Sequence, residues 1–128
     1  VEEAIRVLRK TQPLPELTGS DALRDAARRH AADLGKSGSL SHQGSDGSTP
    51  AQRIRGQLPG AGIAGEVISF GPEEADQVVL DLLVDDGIRD RGHRKLLLDP
   101  RFRIAGAACA PHARYRTVCV IDLTALTE

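Results

Sequence analysis

The chain has 128 residues, with 17 Lys and Arg against 18 Asp and Glu, a formal charge of −1, and 40% hydrophobic residues. That length suits one domain with a single core, and the balanced charge offers a polyanion no field. Aromatic residues at 2% cannot build the stacking surface that single-stranded nucleic acid needs, so nucleic-acid binding is excluded, and no apolar run reaches the roughly 20 residues of a membrane span.

In chain order, Val1, Ala4, Ile5 and Leu8 mark a helical stripe that stops before Pro13-Leu14-Pro15. The chain opens inside this stripe, so residues 1–128 read as a single domain whose first helix is trimmed at its start. Ser20 or Asp21 can cap a second helix, with Leu23, Ala26, Ala27, His30, Ala31 and Leu34 as its apolar face and Gly35 as its end. A polar stretch over 36–48 contains Ser41-His42-Gln43-Gly44-Ser45-Asp46-Gly47. Thr49 and Pro50 then open a short helix reaching Gly56.

After a Pro/Gly-rich loop over 58–65, Glu66-Val67-Ile68-Ser69-Phe70 is expected to be a strand. Gly71-Pro72-Glu73-Glu74 opens a helix with Ala75, Val78, Val79, Leu82 and Leu83 buried and Gly87 at its close. His93–Leu98 adds one or two helical turns, and strands over 104–110 and 115–123 end the chain, joined by a turn at 111–114. The order αααβααββ predicts an α+β fold in which helices cover a small, mainly antiparallel sheet. Cys109 and Cys119 lie symmetrically about that turn, and no other cysteine is present. Paired strands bring cross-strand neighbours to about 4.5–5.5 Å, within reach of a disulfide, so a bridge is preferred to two buried free thiols. A loop that short stabilises by roughly 2–3 kcal/mol on the chain-entropy model.

Four histidines differ in setting. His30 on an apolar helix face is expected to be a core residue bonded to backbone, and His112 in the hairpin turn is expected to be solvated. His42 and His93 stand in polar, glycine-rich loops, where function concentrates. With Glu66 they offer two imidazoles and one carboxylate, a set suited to a zinc-like ion with one open position or to an acid–base pair. Their spacing matches no compact ligand motif, and no nucleophile elbow is present.

The series Ala27-Arg28-Arg29-His30-Ala31-Ala32-Asp33, Ser41-His42, Gly65-Glu66 and Arg91-Gly92-His93-Arg94 resembles the CAP superfamily. That group comprises cysteine-rich secretory proteins, antigen 5 and plant pathogenesis-related proteins, with bacterial SCP-like extracellular members. The resemblance covers about residues 2–123, and Asp85-Asp86-Gly87 with Cys109-Ala110-Pro111-His112 looks like a bacterial branch. It implies an α-β-α sandwich, a secreted or cell-envelope location, and a cleft with two histidines and two acids that binds a divalent metal in several relatives.

Carried over by motif, the histidines are His42 and His93, one acid is Glu66, and Ser41 belongs to the same cleft. The second acid falls among Asp81, Asp85 and Asp86, with Asp86 placed first and Asp85 second; Glu73 and Glu74 lie farther back. The family's Gly-Glu-Asn is here Gly65-Glu66-Val67, and the tryptophan usual in the helix before His93 is missing. The leading functional expectation is a monomeric, noncatalytic binding module for a metal, zinc first, and a small lipid, glycan, peptide or other cell-wall ligand. The alternatives are a metal-assisted hydrolase of cell-wall polymer with Glu66 as general base, and a cleft in which His42 and Glu66 merely bond each other.

Overall fold

The computed structural model describes residues 1–127. Its elements run α1 (Glu2–Lys10), β1 (Thr18–Gly19), α2 (Asp21–Ser37), α3 (Pro50–Gln57), β2 (Ala61–Phe70), α4 (Ala75–Val84), α5 (Gly92–Leu97), β3 (Ile104–His112) and β4 (Arg116–Leu126). The strands form one sheet in the order β1-β3-β4-β2, with only the β1–β3 pair parallel. Helices cover both faces, which is the expected α-β-α sandwich.

Side chains alternate along the strands and feed two cores. On one face Ile68, Val118 and Val120 meet Ala27, Ala31 and Leu34 of α2. On the other, Val67 and Cys119 meet Val78 and Leu82 of α4, with Leu96 and Leu97 of α5 packed alongside. Leu23, Ile54 and Ala61 close a third cluster beneath α3. The first core is tight because Gly106 lets α2 lie directly on β3. A Cβ there would collide with the backbone nitrogen of Arg24.

Helix boundaries follow local chemistry. Ser20 caps α2 by accepting from the Leu23 N–H, and Thr49 and Gln52 form a reciprocal capping box on α3. The α2 helix passes Gly35 and ends two residues later, with Gly38 in the left-handed conformation that terminates helices (φ 73°). The α4 helix stops at Val84 rather than near Gly87, because Asp85 itself adopts the left-handed cap (φ 53°).

The strands differ from expectation in three places. β1 has only two residues, too few for any periodicity to reveal. β2 begins at Ala61, inside the expected loop, because pairing with β4 from Leu126 onward overrides the glycine content; the register shifts between Ala61 and Ala64. The hairpin also turns later, after His112, so Pro111 is part of the strand and pairs with Thr117. Ala105 accepts from Ser20 on the outer side of β3. By alternation Pro111 points outward too, where a missing N–H costs the ladder nothing.

Cys109 and Cys119 are direct register partners and are bridged, with Cα atoms 4.0 Å apart. His112 is not solvated. It is buried, its Nε2–H donates to the Ser39 carbonyl at 3.0 Å, and its Nδ1 accepts from the backbone of Arg114 and Tyr115. It therefore ties the hairpin turn to the loop after α2.

Candidate functional site

The site grows from β2, an edge strand flanked by both helical layers. Gly65 and Glu66 point to opposite faces, and each has a distinct task. A Cβ at Gly65 would meet Leu96 at 3.2 Å and the Phe102 ring at 2.7 Å, so the bare backbone admits α5 against the strand. Glu66 faces the α2 layer, where its side chain is 1% exposed.

Glu66 gathers a polar network. The His42 Nδ1–H donates to its Oε1 at 3.0 Å, and the Arg53 Nη2 donates to its two oxygens at 2.9 and 3.1 Å. Arg53 also donates to the carbonyls of His42 and Ser48, fixing the loop that carries His42 to α3. Loop bonds from Gln43 N–H to Ser41 Oγ and from Ser45 N–H to Asp33 add to this hold. Burial alone opposes a charge on Glu66, but the hydrogen bonds from His42 and Arg53 and the guanidinium charge prevail. They hold the carboxyl down at about 2.

His30 is the expected core histidine. Its Nε2–H donates to the Ser41 carbonyl at 3.0 Å, and burial lowers its pKa against the opposing pull of Glu66, 3.7 Å away. Ser41 therefore takes part through its backbone and holds Gln43 with its hydroxyl.

A second network surrounds His93 on the opposite layer. Asp85, 3% exposed, accepts the His93 Nδ1–H at 2.8 Å and the His93 backbone N–H at 3.0 Å. Asp85 is the paired acid rather than Asp86, which is exposed in the next turn position. The left-handed cap aims the first carboxylate back at α5 and the second outward. Arg94 braces the same turn. Its buried guanidinium bonds the carbonyls of Leu83 and Val84 and takes Glu3 of α1 in a bidentate pair, both bonds 2.7 Å. Arg91 reaches the carbonyls of Asp85 and Ile88.

Two equivalent dyads result. Each imidazole binds a buried carboxylate through Nδ1 and makes no hydrogen bond through Nε2 among the described residues; His42 is 51% and His93 27% exposed at the side chain. The expected three-ligand set His42, Glu66 and His93 is not assembled. Both Glu66 oxygens are engaged by donors, with a guanidinium where a cation would approach. Among the described residues no group of three His, Cys, Asp or Glu side chains is placed to hold a metal ion. The atoms left for one are the two Nε2 nitrogens.

Sequence reasoning missed Arg53, Asp122 and Glu3. Arg53 lies on a polar helix with no distinguishing pattern, and Glu3 is 91 positions from Arg94. Asp122 had a signal, being the one acid in the apolar run Val118–Leu123. A pocket of about 470 Å³ lies between α2 and α3, lined by Arg29, His30, Asp33, Gln52 and Arg53 among others. It shares His30 and Arg53, among others, with the Glu66 network but contains neither His42 nor His93.

Comparison with known proteins agrees with this architecture. The family model described as CAP, cysteine-rich secretory protein family, matches residues 3–123. An outer surface protein from Borrelia burgdorferi superposes with a TM-score of 0.76 at 22% identity, covering 98% of this chain and 95% of that one. An extracellular protein containing an SCP domain from Bacillus anthracis str. Ames gives a TM-score of 0.71 at 22% identity. That match covers 94% of this chain and 36% of the Bacillus chain. No curated protein matches the sequence.

Proposed function

The chain belongs to the CAP, or cysteine-rich secretory protein, family, and from that premise we propose that it is an extracytoplasmic binding domain whose His42 and His93 take up a divalent metal ion, zinc first. One observation carries this reading: each exposed imidazole is tied through Nδ1 to a buried carboxylate. Metal-ligating histidines are typically held this way, since the carboxylate fixes the tautomer and raises ring basicity. Glu66 and Asp85 thus stand behind the ligands rather than among them. A bound ion would supply positive charge and open coordination positions for a polar group of a small lipid, glycan or peptide ligand.

A location outside the cytoplasm is supported by the disulfide, which persists in oxidising compartments, and by the outer-surface and extracellular character of the two structural neighbours. No helix among the described residues is long and apolar enough to cross a membrane. A hydrolase using Glu66 as general base is disfavoured. A base works best with a pKa near the operating pH, whereas this carboxylate is held at about 2 with both oxygens occupied.

Zinc calorimetry tests the reading. The wild type should bind zinc, and His42→Ala and His93→Ala should each weaken it by at least about tenfold, the loss expected when one ligand or its support is removed. Unchanged heats in both variants remove the metal from the account.

A further inference from the structure

One buried acid has no part in the metal reading. Asp122 is 0% exposed in the middle of β4, with Glu66 opposite on β2 and Gly106 opposite on β3. Neither of its carboxylate oxygens accepts a hydrogen bond from any donor among the described residues. An ionised carboxylate so placed would be buried, unpaired and directly across from a second carboxylate, each a severe penalty.

The charged and titratable groups around it offer no relief. From β2 comes Glu66, ionised and negative. From α3 comes Arg53, whose guanidinium already spans both Glu66 oxygens. From α2 comes His30, kept neutral by burial with its Nε2–H spent on Ser41. His42 gives its Nδ1–H to Glu66 from the far side. A group with no donor to receive can satisfy itself only by becoming one.

We infer that Asp122 is a neutral carboxylic acid at neutral pH whose O–H donates to Glu66, and that it is a positioning residue for the Glu66–His42 dyad. Burial, then the hydrogen bond to Glu66 and the charge of Glu66, push Asp122 up to about 9 against the opposing charge of Arg53. The two acids then carry one negative charge between them, matched by the single guanidinium. Glu66 then accepts from Asp122, Arg53 and His42 together and stays ionised, which selects the Nδ1–H tautomer of His42. The arrangement holds whether or not a metal binds at Nε2.

Asp122→Asn keeps the size and a donor but cannot ionise. The folded wild type holds its proton more tightly than the unfolded chain, whose carboxyl titrates near 3.8. The stability it draws from that proton is fully present below 3.8 and is lost as pH rises toward about 9. The melting temperature of wild type minus that of Asp122→Asn should therefore fall by several degrees across this range. A difference that is flat, or that rises with pH, overturns the inference.

Infrared spectra keep the test open should the variant not fold. The wild type at pH 7 should show a neutral-carboxyl C=O stretch that disappears as pH passes about 9, and its absence would equally overturn the inference. Positioning is read from the ring ¹⁵N shifts of His42: Asp122→Asn should preserve the Nδ1–H tautomer and Asp122→Val should mix it. An unchanged tautomer in Asp122→Val removes the positioning role.

Discussion

Arg53 and Glu66 form the polar hinge of this domain, since one guanidinium ties the His42 loop, α3 and the edge strand together. The pair is almost fully buried, and removing one member of such a pair leaves an uncompensated charge. Arg53→Met should destabilise by about 3–5 kcal/mol in denaturant unfolding, with a change under 1 kcal/mol contradicting its role. The pH dependence has a definite sign. Glu66 titrates at about 2 when folded against 4.5 ordinarily, so its stabilisation is present above 4.5 and is lost as pH falls toward 2. The stability difference between wild type and Glu66→Gln should shrink over that window, and equal acid profiles would refute the ionised network. At this scale the sequence was informative where residue type alone carries meaning. His42 and His93 stand out as chemistry in glycine-rich loops, and Glu66 as an acid opening an apolar strand. Asp85 could not be separated from Asp86, because a left-handed backbone angle decides which carboxylate turns inward. Arg53 was invisible because its meaning lies in contacts 11 and 13 residues away.

Among the elements, the β3–β4 hairpin and the α5 turn are stapled by different means. The hairpin carries Cys109–Cys119, on the face that packs against α4. The turn carries the Glu3–Arg94 pair, whose guanidinium is buried while Glu3 is half-exposed. A Cys109→Ser/Cys119→Ser double variant should lose roughly 2–3 kcal/mol of stability while zinc heats stay unchanged. A parallel loss of zinc binding would show that the bridge shapes the site after all. Helices α2 and α3 were legible from caps and apolar spacing, which are local signals, whereas of the face expected to be buried in α4 only Val78 and Leu82 are, with Ala75 and Val79 exposed. The strand from Ala61 and the two-residue β1 were not, since β4 and β3 respectively impose them on segments without strand periodicity. His112 reads as a turn residue for the same reason: the Ser39 carbonyl that buries it is 73 positions away.

For the molecule as a whole, the sandwich places the two dyads on opposite helical layers, both bordering β2. The glycine of Gly65-Glu66 admits α5 on one face, and the glutamate organises the His42 loop on the other. This gives the short motif a physical meaning: one residue serves by having no side chain, its neighbour by having a buried charge. Family membership, disulfide and dyads are mutually consistent with a metal-binding domain working outside the cytoplasm. The most direct measurement is a crystal structure of the zinc-soaked protein with anomalous scattering at the zinc edge. It should place zinc on Nε2 of His42 and on Nε2 of His93, with Glu66 and Asp85 still on the two Nδ1 atoms and Arg53 still on Glu66. An ion ligated by a Glu66 oxygen with Arg53 displaced, or no ion at either histidine, would contradict the account.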